Sequence, residues 1–275
     1  FSSSSLIKDY MGIFNEKQKN EIKIIKKNYD LNKIKKILDN INGINPLIIG
    51  ETIIDQYHFT QTLGKSGKEP VLVLKELYIE RYLGGALAVC RHLSSFIKKM
   101  NFLSYLGEKK EFLSFIKKGI PKNIIANFVF KKNSPTILKK RFVDKLTNAK
   151  ILGAYQLNDE FLYKENLNSL YKNFGRLSKN ADLFIISDYG HGLINKEFIK
   201  KIKKIKKFIA VNVQVNSSNI GYHSLKNFNG VDCVIINENE LRYEMRSKQE
   251  KIEILMKKLI NDMKLRHLVV TRGSS

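Results

Sequence analysis

The 275-residue chain has no tryptophan, four prolines and two cysteines. Cys90 and Cys233 lie far apart and lack the paired spacing of a zinc site. They exclude a disulfide framework and point to a reducing compartment, the cytoplasm. Both read as small buried apolar side chains. No apolar run is long enough to span a bilayer, and the segment after Phe1 shows no charged-then-apolar signal pattern. Acidic residues are also scarce. Against 49 Lys and Arg stand 26 Asp and Glu, a net charge of +23. That balance suits a nucleic-acid partner in sign, but the lysines are spread along the whole chain. The densest run, 198–207, spaces its isoleucines by three, which makes an amphipathic helix with a solvated lysine face. No helix-turn-helix, zinc-finger or aromatic RNA-binding signature accompanies it. A nucleic acid is therefore disfavoured as a partner, and a membrane is excluded.

The first 46 residues differ from the rest. Phe1-Ser2-Ser3-Ser4-Ser5 leads into a helical pattern at Leu6 and Ile7. A polar, lysine-rich stretch covers 15–30, a short helix 31–38, and Asn42-Gly43-Ile44-Asn45-Pro46 is a turn cluster. This reads as a tail and linker. From Leu47 the pattern becomes rhythmic. Strands are predicted at 46–50, 101–106, 183–187, 208–213, 231–236 and 267–271. Helices are predicted at 84–100, 108–118, 159–177, 195–207 and through 238–264. Short apolar strands alternating with amphipathic helices predict an α/β fold, a mostly parallel sheet with helices on both faces. Residues 71–74 and 77–82 are β-rich, and 127–131 with 136–143 read as a hairpin around Asn133-Ser134-Pro135. These pieces break the alternation and predict a small separate β-sheet lying as a lid.

In open α/β sheets ligands bind beyond the carboxyl ends of the strands, and four such places stand out. Strand 47–50 ends in a glycine and is followed by Glu51 and Asp55, so Asp55 is placed to hold ligand hydroxyls; an ordinary turn explains the same residues. Gly84 and Gly85 open a helix of small residues, which suits a close backbone approach or close helix–sheet packing. An apolar strand delivers Ser187-Asp188-Tyr189-Gly190-His191-Gly192, with Asp188 and His191 both expected to face the crevice; this is the most specific stretch. Last, Val234-Ile235-Ile236 ends in Asn237 with Glu240 three residues on. That spacing fits a hydrated Mg²⁺ and phosphate, and equally a helix capping box.

In order, Gly-Glu-x-x-x-Asp, Gly-Gly-Ala, Ser-Asp-Tyr-Gly-x-Gly, Asn-x-x-Glu and Val-Val-Thr-x-Gly resemble the ribokinase-like (PfkB) carbohydrate kinases. The resemblance covers 47–275 and is closest to the heptose-phosphate kinase half of bifunctional ADP-heptose synthesis proteins. It implies ATP-dependent phosphorylation of a sugar or sugar phosphate with Mg²⁺, a ribokinase-like fold with a β lid, and a possible homodimer. It assigns Asp55, Gly84, Gly85, Asp188 and Arg141 to the sugar. Asn237, Glu240, Thr271 and Gly273 fall to the nucleotide, with Glu240 nearest the metal. Departures are Glu51 for the family's Asp, Ala88 for an Asn, His191 for a Lys, and 211–216 for a strand that often ends Asp-Pro-Lys. The family's base is the Asp of Gly-Ala-Gly-Asp, which does not occur in these 275 residues. The resemblance puts it beyond Ser275, making 47–275 an incomplete kinase domain that alone should not transfer phosphate. The Ser-rich start through Lys8 resembles the close of a cytidylyltransferase-like nucleotidyltransferase domain, which makes 1–46 the tail of an upstream domain plus linker. The competing class is a ribokinase-like fold kept as a non-catalytic ligand- or nucleic-acid-binding module.

Overall fold

The computed structural model describes residues 14, 16–215, 219 and 224–273. The expected helix at Leu6-Ile7, the Ser-rich start, Asn216 and the final Ser274-Ser275 lie outside the described residues. The chain divides after Gly43 into two compact units.

The first unit holds α1 (Glu16–Asn28) and α2 (Leu31–Ile41). The polar stretch is thus helical over Glu16–Asn28. Lys, Glu and Gln propagate helix well, and Glu16 pairs with Lys19 one turn on at 2.8 Å. Asp30 caps α2 by accepting from Lys33 N. The apolar stripe Leu31, Ile34, Ile37 and Leu38 is exposed.

The second unit runs β1 (Pro46–Gly50), β2 (Thr52–Lys65), β3 (Leu72–Gly85), α3 (Ala86–Leu93), β4 (Met100–Gly107), α4 (Leu113–Gly119), β5 (Ile124–Lys131), β6 (Ile137–Asp144) and β7 (Lys150–Gln156). It continues with α5 (Lys164–Ser178), β8 (Leu183–Asp188), α6 (Lys196–Lys203), β9 (Phe208–Val213), β10 (Cys233–Asn237), α7 (Glu238–Glu244), α8 (Ile252–Met263) and β11 (His267–Thr271). Seven strands form one sheet in the order β11-β10-β9-β8-β1-β4-β5, every described pairing parallel. Its inner strands are largely apolar, as expected where helices cover both faces. Phe184, Ile186, Leu47 and Ile49 lie at the centre of the core, with Leu170 and Phe174 of α5 and Phe198 and Ile202 of α6.

Four strands, β3-β2-β6-β7, form a second sheet. The expected lid exists, but the hairpin does not. β5 joins the large sheet beside β4, and only β6 joins the lid, beside β2. Between them the chain crosses the end of β4. Gly107 leaves room for it: a Cβ there would lie 2.2 Å from Thr136 N. Likewise 84–100 is not one helix. Gly84 and Gly85 end β3, and α3 stops at Leu93. The region 238–264 is two helices. The far reaches of β2 and β3 and the whole of β7 are largely exposed, so their apolar residues do not alternate with a buried face.

Candidate active site

β1 is the strand at which the order reverses: β4 and β5 extend to one side, β8 to β11 to the other. The crevice of such a sheet opens at the carboxyl ends of the strands flanking the reversal. Here those ends are Gly50-Glu51 and Ser187-Asp188, and Gly50 is paired with Ser187. A Cβ on Gly50 would lie 2.2 Å from Ser187 O, so only glycine allows this approach.

Glu51 is fully buried. Its carboxylate accepts from Tyr189 N at 2.9 Å, His191 N at 3.1 Å and Leu193 N at 3.4 Å. It therefore holds the turn after β8 in place. Burial and then the neighbouring Asp188 push its carboxyl above the usual range, against the pull of the Tyr189 N–H. Asp188, also buried, accepts from Gly190 N and is pushed up to about 7 by burial. Gly190 and Gly192 have φ of 70° and 88°, which lets the turn fold back on itself. Asp188 lines a cavity of about 280 Å³ together with Asp159, Gly190, Gly192 and Asn219.

His191 does not face the crevice as expected. Its side chain is buried, with Nδ1 2.7 Å from Asp159 Oδ1. Asp159 can offer only acceptor oxygens when ionised, so Nδ1 carries the proton. Tyr105 on β4 donates to His191 O at 2.7 Å.

The lid supplies the other half. Asp55 on β2 and Arg141 on β6 form an ion pair at 2.5 Å, and the guanidinium stands 5.4 Å over the Tyr57 ring. Asp55, Tyr57, Phe59, Glu80 and Tyr82 line a cavity of about 380 Å³. A Cβ on Gly84 would lie 2.0 Å from Asp55 Oδ2, and one on Gly85 2.4 Å from Glu51 O. Gly85, at φ 61°, caps α3 and sends Ala86 N to Glu51 O at 2.9 Å. Thus Asp55, Gly84, Gly85 and Arg141 meet at one place, while Asp188 lines the neighbouring cavity. Burial raises the Tyr189 pKa, against a hydrogen bond with Ser187, and the charges of Glu51, Asp55 and Glu240 add to the rise.

Lys139 was missed in the sequence. It sits two residues before Arg141 on β6, almost buried, with its ammonium 5.4 Å from the Tyr155 ring. Burial lowers its pKa, against Asp55. The signal was alternation: in a strand, residues 139 and 141 share a face.

At the far end of the crevice Asn237 and Thr271 are register partners on β10 and β11. Asn237 Oδ1 accepts from Glu240 N at 2.8 Å, and Glu240 Oε2 from Asn237 N at 2.9 Å. The capping box is therefore real, and both side chains are engaged in it. Burial raises the Glu240 pKa, against backbone donors at Asn237 and Val215. Gly273 has open space around its Cα. Among the described residues no three His, Cys, Asp or Glu side chains are grouped to hold a metal, and no helix is long and apolar enough to cross a membrane.

Known proteins share this frame. The bifunctional protein HldE of Campylobacter jejuni (strain RM1221) is 29% identical over 230 residues, 82% of this chain and 47% of that protein. HldE of Haemophilus influenzae (strain PittEE) is 26% identical over 234 residues, 82% and 46% respectively. The chain spans about half the length of the curated relatives it matches. Phosphofructokinase-2 from Escherichia coli, in a tetrameric inhibited form, superposes with a TM-score of 0.61 at 14% identity, covering 84% of this chain and 74% of that one. Arabidopsis thaliana ribokinase complexed with ribose and ATP gives 0.55 at 16%, covering 82% and 71%. At such identities the structures speak for the fold. Residues 45–275 match the family described as pfkB family carbohydrate kinase, and the chain belongs to that family.

Proposed function

We propose that the chain carries the sugar-binding part of an ATP- and Mg²⁺-dependent kinase that phosphorylates a hydroxyl of a sugar or sugar phosphate. The observation that carries this reading is the Asp55–Arg141 pair, set against the bare backbone of Gly84 at the mouth of the crevice. A carboxylate beside a guanidinium offers both acceptors and donors to sugar hydroxyls, and Tyr57 and Tyr82 offer apolar faces. Asp188 serves the same crevice from the sheet side.

Asn237, Glu240, Thr271 and Gly273 take the nucleotide end. Glu240 fits a hydrated Mg²⁺ better than a directly bound one, because its carboxylate already accepts from two backbone N–H groups. When bound, the metal and nucleotide supply the phosphoryl group and neutralise its charge; the residues here position the acceptor and shield it from water. From the likeness of the Ser-rich start through Lys8 to the close of a nucleotidyltransferase domain, we assign 1–46 to the end of such a region plus linker. A homodimer would use the exposed apolar side chains of the lid, among them Leu77, Ile79 and Leu152.

Calorimetric titration of the chain with heptose, hexose and pentose phosphates tests the sugar site. One class should bind, and Arg141→Ala should weaken it about tenfold or more, since a charged hydrogen bond is worth roughly 1.5–3 kcal/mol. No binding by any member would sink the reading. Transfer from γ-labelled ATP, measured on the gene's whole reading frame, separates a kinase from a binding module that holds the sugar without phosphorylating it.

A further inference from the structure

At the carboxyl end of β5 lies a lysine that no surface reaches. Lys131 is 0% exposed, and its Nζ donates to the carbonyls of Asn158 and of Glu160, each at 2.5 Å. The ammonium also stands 5.2 Å from the Tyr105 ring centroid. No carboxylate among the described residues forms an ion pair with it. A buried charge without a paired acid is costly and needs full hydrogen bonding, and here two backbone carbonyls provide it.

The two carbonyls flank Asp159. Asp159 in turn receives His191 Nδ1–H, His191 N is held by Glu51, and His191 O accepts from Tyr105. Gly192 is pressed against the same segment, since a Cβ there would lie 2.0 Å from Glu160 O. Lys131 therefore lines neither cavity, but it holds both carbonyls that flank Asp159, the residue that binds His191 in the turn 188–193.

We infer that Lys131 is a positioning residue, whose buried ammonium clamps residues 158–160 so that Asp159 holds His191 and the turn carrying Asp188 keeps its shape at the sugar crevice. The inference rests on the sugar-kinase reading only for its functional consequence; the clamp itself does not need it. The charged and titratable groups around Lys131 are Asp159 and Glu160 before α5, Glu51 after β1, Tyr105 on β4 and His191 after β8. Burial brings Lys131 down to about 8, against the fields of Asp159, Glu160 and Glu51.

The test uses Lys131→Met, which keeps the volume and removes donors and charge. In ¹⁵N-histidine-labelled chain, wild type should show a slowly exchanging Nδ1–H signal from His191, assigned by its loss in His191→Asn. The signal should vanish in Lys131→Met, while amides 158–162 exchange at least tenfold faster. An unchanged His191 signal with unchanged exchange would overturn the inference. Should Lys131→Met not fold, Asp159→Ala carries the test, because Asp159 is part-exposed at 35% of its side chain. It should release His191 and lower sugar-phosphate affinity about tenfold while amides 160–162 stay protected by Lys131. Unchanged affinity in a binding-competent chain refutes the clamp's role at the crevice. If the His191 signal responds as described but no sugar phosphate binds wild type, the kinase reading fails and the clamp stands.

Discussion

Asp188 is a carboxyl group buried at the end of an apolar strand, and its proton is held more tightly in the folded chain than in the unfolded one. Its folded pKa of about 7 lies above the ordinary carboxylate value of about 3.9. Between those limits the native state binds the extra proton, so stability is greatest at the acid end and falls as pH rises toward 7. Asp188→Asn keeps an acceptor for Gly190 N and removes the buried charge. It should raise the melting temperature at pH 8, by no more than roughly 4 kcal/mol of stability, and change little near pH 4. Thermal melts of the two chains across that range check this, and a variant less stable than wild type at pH 8 refutes it. Burial raises the Glu51 pKa as well, so the Asp188→Asn chain retains part of the slope. The same residue that costs stability at neutral pH is the one placed to meet a ligand, a common trade at functional sites.

At the scale of elements, α7 shows a cap and a candidate ligand site sharing the same atoms. Asn237→Ala removes one arm of the capping box and should cost about 1 kcal/mol, read from the denaturation midpoint. An effect beyond about 3 kcal/mol would mean that Asn237 does more than cap. Elements also show what the sequence discloses. The apolar strands were legible because unbroken apolar runs mark them, with β1 wholly buried and β8 nearly so: β1, β8, β9 and β11 lie within a residue or two of their predicted ends. The lid strands were legible only in part, because their apolar residues, such as Leu72, Val73 and Leu77, are exposed and do not mark out one buried face. Long stretches of β3 are exposed and carry charge. The false hairpin at 127–143 came from two β-rich runs around a turn; sequence does not say that Gly107 lets the chain cross from one sheet to another. Of the site, residues after apolar strands were visible. Lys131 and the His191–Asp159 pair were not, because each depends on partners many positions away that only the folded chain brings near.

At the scale of the molecule, every core residue named in the large hydrophobic cluster falls at or after Leu47. Residues 44–275 should therefore fold on their own. A chain starting at Ile44 is expected to melt cooperatively, checked by calorimetry against the full 275 residues; a broad, non-cooperative melt would show that the first unit is required. The sheet order carries one more consequence, for how the chain reaches its fold. β1 pairs with β8 through Pro46 and Leu183. The central strand of the sheet must then wait for a partner about half the chain away while the lid and two further strands form between them. Long-range parallel pairing of this kind slows folding, because loop-closure entropy is lost before the contacts that offset it are made. During synthesis the earliest apolar strand thus keeps one edge open until β8 emerges, and that open edge is where nascent chains are most apt to stick to one another.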